Sequence, residues 1–317
     1  MYHEINIVTL RLAFFGSDCL YSEAVLQALL QSSHQVAAVL LPAGGLSGVP
    51  AGQPLQVLLP QNAEVREYDT HALTVISPFV QRSIVHTAWD KGVPLYAVQD
   101  LAAQETIGTL RMARVDVACV ACFPRRVPAS LLHVPRRGFL NVHPSLLPDY
   151  RGPAPIFWQL HEGETRTGVT IHWMDADFDT GPLADQRPVF LPDGISETDA
   201  TGLMARAGGR LLVEVLDHVA SGEIPYRKQP PGGAYQPYPR ETDFTISPTW
   251  PARRVYNFMC GTVVWGYPYR LEVAGETVLL SDAITWSAHE VLPAPLIRQG
   301  DQVIIQCSPG TVRAHLA

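Results

Sequence analysis

The first half of the chain alternates stretches of strand and helix character in an order that few architectures can use. Apolar runs of strand length fall at 10–15, 35–41, 94–98, 116–123 and 138–142. Helix-like stretches at 22–30, 77–91 and 101–114 lie between them. Strands that recur with helices between them predict an α/β fold with a parallel-rich central sheet and crossover helices. A further helix is expected over 153–161, entered through Pro153, because the first turn tolerates a missing amide. The next strand is expected over 167–174, where Val169, Ile171 and Trp173 alternate with Thr170 and His172. A long amphipathic helix is read over 196–221, although Gly208-Gly209 weakens its middle. Residues 222–240, rich in Pro, Gly and Tyr, read as a linker. Beyond them a short helix at 252–259 and strands at 269–273, 277–280 and 302–307 predict a small β-rich domain. The expected organisation is therefore a catalytic domain over 1–221, a linker over 222–240 and a second domain over 241–317.

Composition bounds the class of molecule. With 317 residues, 47% hydrophobic and 17% charged, the chain has material for a sizeable core and does not have the composition of a disordered protein. Its apolar runs are too short to span a bilayer. No charged segment followed by an apolar stretch opens it, so no membrane partner and a cytoplasmic location are expected. Five scattered cysteines fit reduced thiols. Cys119 and Cys122 form a C-x-x-C, but no second ligand pair accompanies it, so no metal is expected. The net charge of −7 argues against a general affinity for nucleic acid. The clearest basic cluster, Arg125, Arg126, Arg136 and Arg137, reads equally as a solvated loop or as an anion site.

Ligands of open α/β sheets bind beyond the carboxyl ends of the strands. Gly16-Ser17-Asp18 follows the first strand but lacks the G-x-G-x-x-G pattern and reads as a tight turn, with Ser22 or a neighbour capping the next helix. The polar groups that draw attention are Asn141 and His143, at the end of the 138–142 strand, and Asp179, in Asp177-Phe178-Asp179-Thr180-Gly181. None of the three is a good covalent nucleophile. Together they suit direct attack of an amine on a carbonyl: Asn141 and His143 can donate to the developing oxyanion, and Asp179 can orient the imidazole and accept the amine's proton. Taken singly, an Asn-x-His pair or an Asp-Thr-Gly turn is ordinary structure.

The whole stretch 138–181 is more specific. It reads Gly-Phe-Leu-Asn-Val-His-Pro-Ser-Leu-Leu-Pro, then Tyr-Arg-Gly-Pro-Ala-Pro-Ile, then Gly-Glu-Thr-Arg-Thr-Gly-Val-Thr, then Asp-Phe-Asp-Thr-Gly. This block resembles the signature of the folate-dependent N-formyltransferases. The similarity extends over about 10–221 and persists more weakly in 243–270, which resembles the carboxyl-terminal domain of methionyl-tRNA formyltransferases. The resemblance implies a Rossmann-like formyltransferase domain, 10-formyltetrahydrofolate as co-substrate and an amine as acceptor. It carries the catalytic roles onto Asn141, His143 and Asp179. It also implies a folate slot along 121–127, with Cys122 and Arg125 in the backbone turn and Phe123 and Val127 as apolar walls. Ser145, Leu146, Leu147 and Pro148 match a folate-contacting segment. The loop with Asp175 and Asp177 would close over the pterin.

The acceptor is less constrained. Methionyl-tRNA formyltransferases carry a basic loop after the second strand; here the corresponding residues 42–54 contain no Lys or Arg. The following 55–76 stretch holds Glu64, Glu67 and Asp69 against one arginine, and the last domain, with Arg253, Arg254 and Arg270, offers a thin basic set for an RNA surface. Phosphate binding depends on such charges, so a small-molecule amine, an amino sugar or an amino-acid derivative, is favoured over tRNA. Tyr226, Tyr235 and Tyr238 of the linker either help form an acceptor pocket or pack the domains. A methionyl-tRNA formyltransferase, a 10-formyltetrahydrofolate hydrolase and a folate-binding module without turnover are the alternatives. The last is disfavoured because the catalytic triplet is intact.

Overall fold

The computed structural model describes residues 8–45, 53–59 and 83–317. Most of the uncharged 42–54 loop, most of the acidic 55–76 stretch and the first part of the 77–91 helix lie outside the described residues.

Eight strands form the first sheet: β1 (Arg11–Phe15), β2 (Gln35–Pro42), β3 (Leu55–Val57), β4 (Leu95–Val98), β5 (Val117–Val120), β6 (Phe139–His143), β7 (Arg166–Trp173) and β8 (Leu183–Phe190). Their order is β3-β4-β2-β1-β5-β6-β7-β8. The pairs β1–β2, β1–β5, β2–β4 and β5–β6 are parallel, whereas β3–β4 and β6–β7 are antiparallel. Helices α1 (Leu20–Leu30), α2 (Ile84–Asp90), α3 (Gln104–Met112), α4 (Ala129–Leu132), α5 (Pro155–His161) and α6 (Glu197–Ser221) follow in chain order. The fold is the expected α/β class with a mostly parallel sheet. The apolar runs have their explanation here: Leu12, Ala13, Phe14 and Phe15 of β1 are all fully buried, as strands covered on both faces must be.

The structure adds detail that the sequence pattern did not carry. Strand β8 holds Asp185, Gln186, Arg187 and Pro188, a composition that hides a strand. It forms the edge of the sheet, where a missing amide donor and exposed charges are tolerated. The strand read over 116–123 stops at Val120, because the chain turns at Cys122, which has φ 55°.

The chain groups into two compact units, each assembled from three stretches: Met1–Pro148, Val169–Arg187 and Met204–Gly232 in one, and Asp149–Gly168, Pro188–Leu203 and Gly233–Ala317 in the other. The second unit contains α7 (Ala252–Thr262) and a six-stranded sheet of β9 (Thr245–Ile246), β10 (Tyr269–Val273), β11 (Glu276–Ser287), β12 (Leu296–Gln299), β13 (Gln302–Gln306) and β14 (Thr311–Leu316), in the order β12-β13-β14-β11-β10-β9. Its core is aromatic. The ring of Phe157 on α5 lies 5.6 Å from Phe258 on α7 and 5.2 Å from Phe244, and Phe258 and Tyr269 meet edge to face. Burying this many rings supplies a large apolar area in a small unit.

The glycine pair of α6 is a packing feature rather than a weak point. A Cβ on Gly208 would stand 2.5 Å from Cγ1 of Val142, and one on Gly209 would stand 2.8 Å from the Ala28 Cβ. Helix α6 therefore approaches β6 and α1 more closely than any other residue type permits. By contrast, Gly108 within α3 has open space around its Cβ position. Gly108→Ala should stabilise the protein by about 0.5–1 kcal/mol through helix propensity. Gly208→Ala should destabilise it by about 1–3 kcal/mol through overpacking, despite the same propensity gain. Urea unfolding midpoints of the two variants check the opposite signs.

Candidate active site

Pairing of β6 with β7 builds the site. Asn141 lies opposite His172 and His143 opposite Thr170, so the four side chains project from one face of the sheet. Thr170 anchors the segment that follows β6: its hydroxyl donates to Ser145 O at 2.6 Å and accepts from Leu147 N at 3.1 Å. Gln186 of β8 donates to Leu147 O at 2.8 Å.

The loop after β7 returns Asp179 to the same face. The return is tight. Asp179 has φ 56°, a conformation that side chains other than glycine rarely adopt. A Cβ on Gly181 would lie 1.8 Å from Trp173 O. Gln229 Nε2 staples the turn by donating to Asp179 O at 2.8 Å and Gly181 O at 2.7 Å. As a result one carboxylate oxygen, Asp179 Oδ1, faces three groups: Asn141 Nδ2 at 3.4 Å, His143 Nδ1 at 3.6 Å and His172 Nε2 at 3.6 Å. The side chain of His143 is 5% exposed and that of Asp179 13%, so the ensemble is largely removed from water, where electrostatic interactions act more strongly.

His172 sets the orientation of Asn141. Its Nδ1 lies 3.1 Å from Trp173 O, which can only accept, so Nδ1 carries the hydrogen. Its Nε2 then accepts from Asn141 Nδ2 at 3.1 Å. The sequence pattern showed His172 only as a residue alternating along a strand; its place opposite Asn141 required the β6–β7 register.

Of the residues expected around a folate, Phe123 packs edge to face on Phe15 at 5.5 Å, and Val127 is buried in the same apolar cluster with Phe139. Arg125 donates to Gln99 O at 2.6 Å. Arg126 donates to Ala176 O and lies 3.4 Å from Asp177 Oδ1, thereby tying the 121–127 segment to the 175–179 loop. Arg126 falls both in the basic cluster and in the 121–127 segment that the resemblance implies for folate, and nothing in the sequence pairs it with that loop. Asp175 accepts from Asp177 N at 3.2 Å and from Thr180 Oγ1 at 2.8 Å, so it organises the loop internally. Cys122 and Asp177 are exposed, Leu146 and Pro148 half-buried, and Ser145 and Leu147 buried. A cleft of about 480 Å³ lies under the loop, bounded in part by Ala129, Leu132, Phe139, Met174 and Ala176. A second cleft, about 660 Å³, includes Asp116, Arg136 and Arg137, and neither cleft is lined by Asn141, His143 or Asp179. Arg137 of the basic cluster lines both clefts.

Among the described residues, no group of three or more His, Cys, Asp or Glu side chains could hold a metal ion. Likewise, no described helix is long and apolar enough to cross a membrane.

An amide, two imidazoles and a carboxylate thus converge beyond β6 of this α/β sheet. The formyl transferase family profile matches residues 10–216; the chain belongs to that family and is a folate-dependent N-formyltransferase. Over 228 residues it is 30% identical to the methionyl-tRNA formyltransferase of Geobacter metallireducens, covering 71% of this chain and 73% of that protein. Over 138 residues it is 42% identical to the methionyl-tRNA formyltransferase of Chloroflexus aggregans, a match spanning 44% of this chain and 45% of its relative. In fold it is similar to an N-formyltransferase from Helicobacter canadensis solved with folinic acid and dTDP-3-aminofucose, with 15% identity, a TM-score of 0.64 and coverage of 97% and 99% of the two chains.

Gly181→Ala should leave far-ultraviolet circular dichroism unchanged while displacing Asp179. A shift of about 1 Å at a catalytic group costs on the order of a hundredfold in turnover, and steady-state formyl transfer reads that loss directly.

Proposed function

We propose that this enzyme transfers the formyl group of 10-formyltetrahydrofolate to a small-molecule amine, with Asn141, His143 and Asp179 as its catalytic residues. The observation that carries the reading is the single Asp179 oxygen set among one amide and two imidazoles. Asn141 Nδ2 has two hydrogens. The shorter contact, to His172, holds the side chain; the longer one, toward Asp179, marks the hydrogen that turns to the oxyanion when the amine adds to the formyl carbon. His143 donates to the same oxygen, its Nδ1 edge held by Asp179. Asp179 takes the proton that the attacking amine sheds, and that proton leaves with the departing folate nitrogen. Burial of His143 and Asp179 keeps competing water from the reacting carbon. The folate lies against Phe123 and Val127, under the loop that Arg126 fastens.

The acceptor assignment rests on charge. Four arginines of the second unit are engaged by carboxylates of the same unit: Arg253 with Asp193 at 2.7 Å, Arg254 with Glu162 at 3.3 Å and stacked on Trp250 at 3.8 Å, Arg270 with Glu272 at 2.8 Å, and Arg298 with Glu276 at 2.9 Å. Such pairs contribute little to stability at a surface, but they leave little positive charge for phosphates. Together with the uncharged 42–54 stretch, this favours a small amine. The second reading, formylation of methionyl-tRNA, is favoured by the names of the sequence relatives.

Asn141→Ala, His143→Ala and Asp179→Ala should each fold and lose about 10²–10³ in kcat, or about 3 kcal/mol of transition-state stabilisation. Near-normal turnover of Asp179→Ala would remove it as proton acceptor. The acceptor is tested by offering charged initiator methionyl-tRNA, nucleotide-linked amino sugars and amino-acid-derived amines in parallel, with a no-acceptor control, and identifying the formylated product by mass spectrometry. Efficient labelling of the tRNA overturns the small-amine reading, and formate release without any acceptor makes the enzyme a hydrolase.

A further inference from the structure

The turn after β1 and the turn after β5 bring two thiols together that the sequence keeps far apart. Cys19 is the N-cap of α1: its side chain accepts from Ser22 N at 3.5 Å. Ser17 Oγ and Ser22 Oγ lie 3.5 Å and 3.4 Å from the same sulfur. Across the gap stands Cys122, the neighbouring thiol that acts most strongly on Cys19. The two turns are laced together by Ser17 Oγ donating to Cys122 O and Ser22 Oγ donating to Ala121 O, each at 2.7 Å. The nearby carboxylate of Asp18 is drawn away, accepting from Ser83 Oγ at 2.9 Å and Ile84 N at 3.2 Å at the start of α2.

This surrounding separates the roles of the two sulfurs. The neighbouring Cys122 thiol first, then the hydrogen bonds with Ser17 and Ser22, hold the Cys19 thiol well below the ordinary thiol range against an opposing effect of burial. The proximity of Cys19 first, and desolvation of the sulfur second, push the Cys122 thiol up although the residue as a whole is exposed. A helix N-terminus adds to the stabilisation of a thiolate. Cys122 is exposed and Cys19 partly so, whereas Cys119, the other half of the C-x-x-C, is buried and its thiol is pushed up by burial alone. The partner of Cys122 is therefore Cys19.

We propose that Cys19 and Cys122 are a peroxide-sensitive modification site that closes to a reversible disulfide and thereby weakens folate binding. The second part rests on the folate slot proposed above, to which Cys122 belongs. In the first step the Cys19 thiolate attacks a peroxide oxygen: the S–O bond forms, the O–O bond breaks, and hydroxide leaves and takes a proton from solvent. In the second step the Cys122 sulfur attacks the resulting sulfenic acid: the S–S bond forms, the S–O bond breaks, and water leaves with the Cys122 proton. The two thiols give up two electrons, and the peroxide becomes two waters. A dithiol reductant restores the pair by exchange.

The test uses the full chain, reduced and then exposed to hydrogen peroxide near stoichiometry. Intact mass should fall by two hydrogens, and non-reducing peptide mapping should show the 19–122 cross-link. Affinity for 5-formyltetrahydrofolate should drop roughly tenfold or more, and dithiothreitol should reverse all three. Cys19→Ser keeps a competent N-cap, so it should fold, retain formyl transfer and show neither the cross-link nor the affinity loss. Stepwise oxygen addition without a cross-link, or a 19–122 cross-link with unchanged 5-formyltetrahydrofolate affinity, overturns the proposal. If the reduced protein does not bind 5-formyltetrahydrofolate at all, the folate reading and the proposed effect on binding both fail, and the mass shift and peptide map still decide whether the thiol pair forms.

Discussion

The register between β6 and β7 is the constraint on which the site depends. Asn141 faces His172 and His143 faces Thr170 only because these strands pair antiparallel in one alignment. A slip of one residue would turn every side chain to the opposite face. The alignment therefore decides, in one step, that the amide of Asn141 has an acceptor behind it and that His143 shares a face with the returning carboxylate. Without His172, the Asn141 side chain would be free to exchange its oxygen and nitrogen, and a donor aimed at an oxyanion would become an acceptor aimed at it. The polar site is thus specified by backbone pairing before any of its side chains contributes energy.

Two close approaches then hold that pairing where it is needed. Gly208 lets α6 press on Val142, the residue between Asn141 and His143 on β6, and Gly181 lets the loop double back against Trp173 O. Both act through an absent Cβ, so their effect is invisible in any list of contacts. The left-handed backbone of Asp179 belongs to the same return. A strained backbone persists only when its surroundings over-determine it, and here Gln229 supplies that restraint with two hydrogen bonds to the turn.

The strand and helix pattern of the first sheet was legible because buried parallel strands must be apolar along their length; β1, β2 and β6 announce themselves in that way. Strand β8 did not, because an edge strand is free to carry Asp185, Arg187 and Pro188. The short strands β9, β12 and β14 were missed for a related reason, since each gains its place from neighbours rather than from its own composition. Asn141, His143 and Asp179 stood out through the resemblance of the whole 138–181 block to the formyltransferase signature. His172 and Gln229 did not, because support across a sheet or from a distant segment has no signature in the local sequence. Likewise Gly208-Gly209 read as a weakness in a helix, when its meaning depends on what the helix packs against.

The thiol pair follows from topology in a similar way. Strand β1 lies between β2 and β5, so the chain leaves it toward one side of the sheet while β5 flanks it on the other. Such a reversal opens a crevice beyond the carboxyl ends of the two strands, where α/β proteins commonly bind ligands. In this chain the crevice is laced shut at its base by Ser17 and Ser22 reaching the backbone of residues 121 and 122. What remains above is a helix N-terminus with a sulfur as its cap, facing a second sulfur on a turn with positive φ. A serine at position 19 would cap α1 equally well, so helix stability does not require the thiol. The chemistry that distinguishes cysteine from serine there is oxidation, and the neighbour that makes oxidation reversible is the one that topology places opposite.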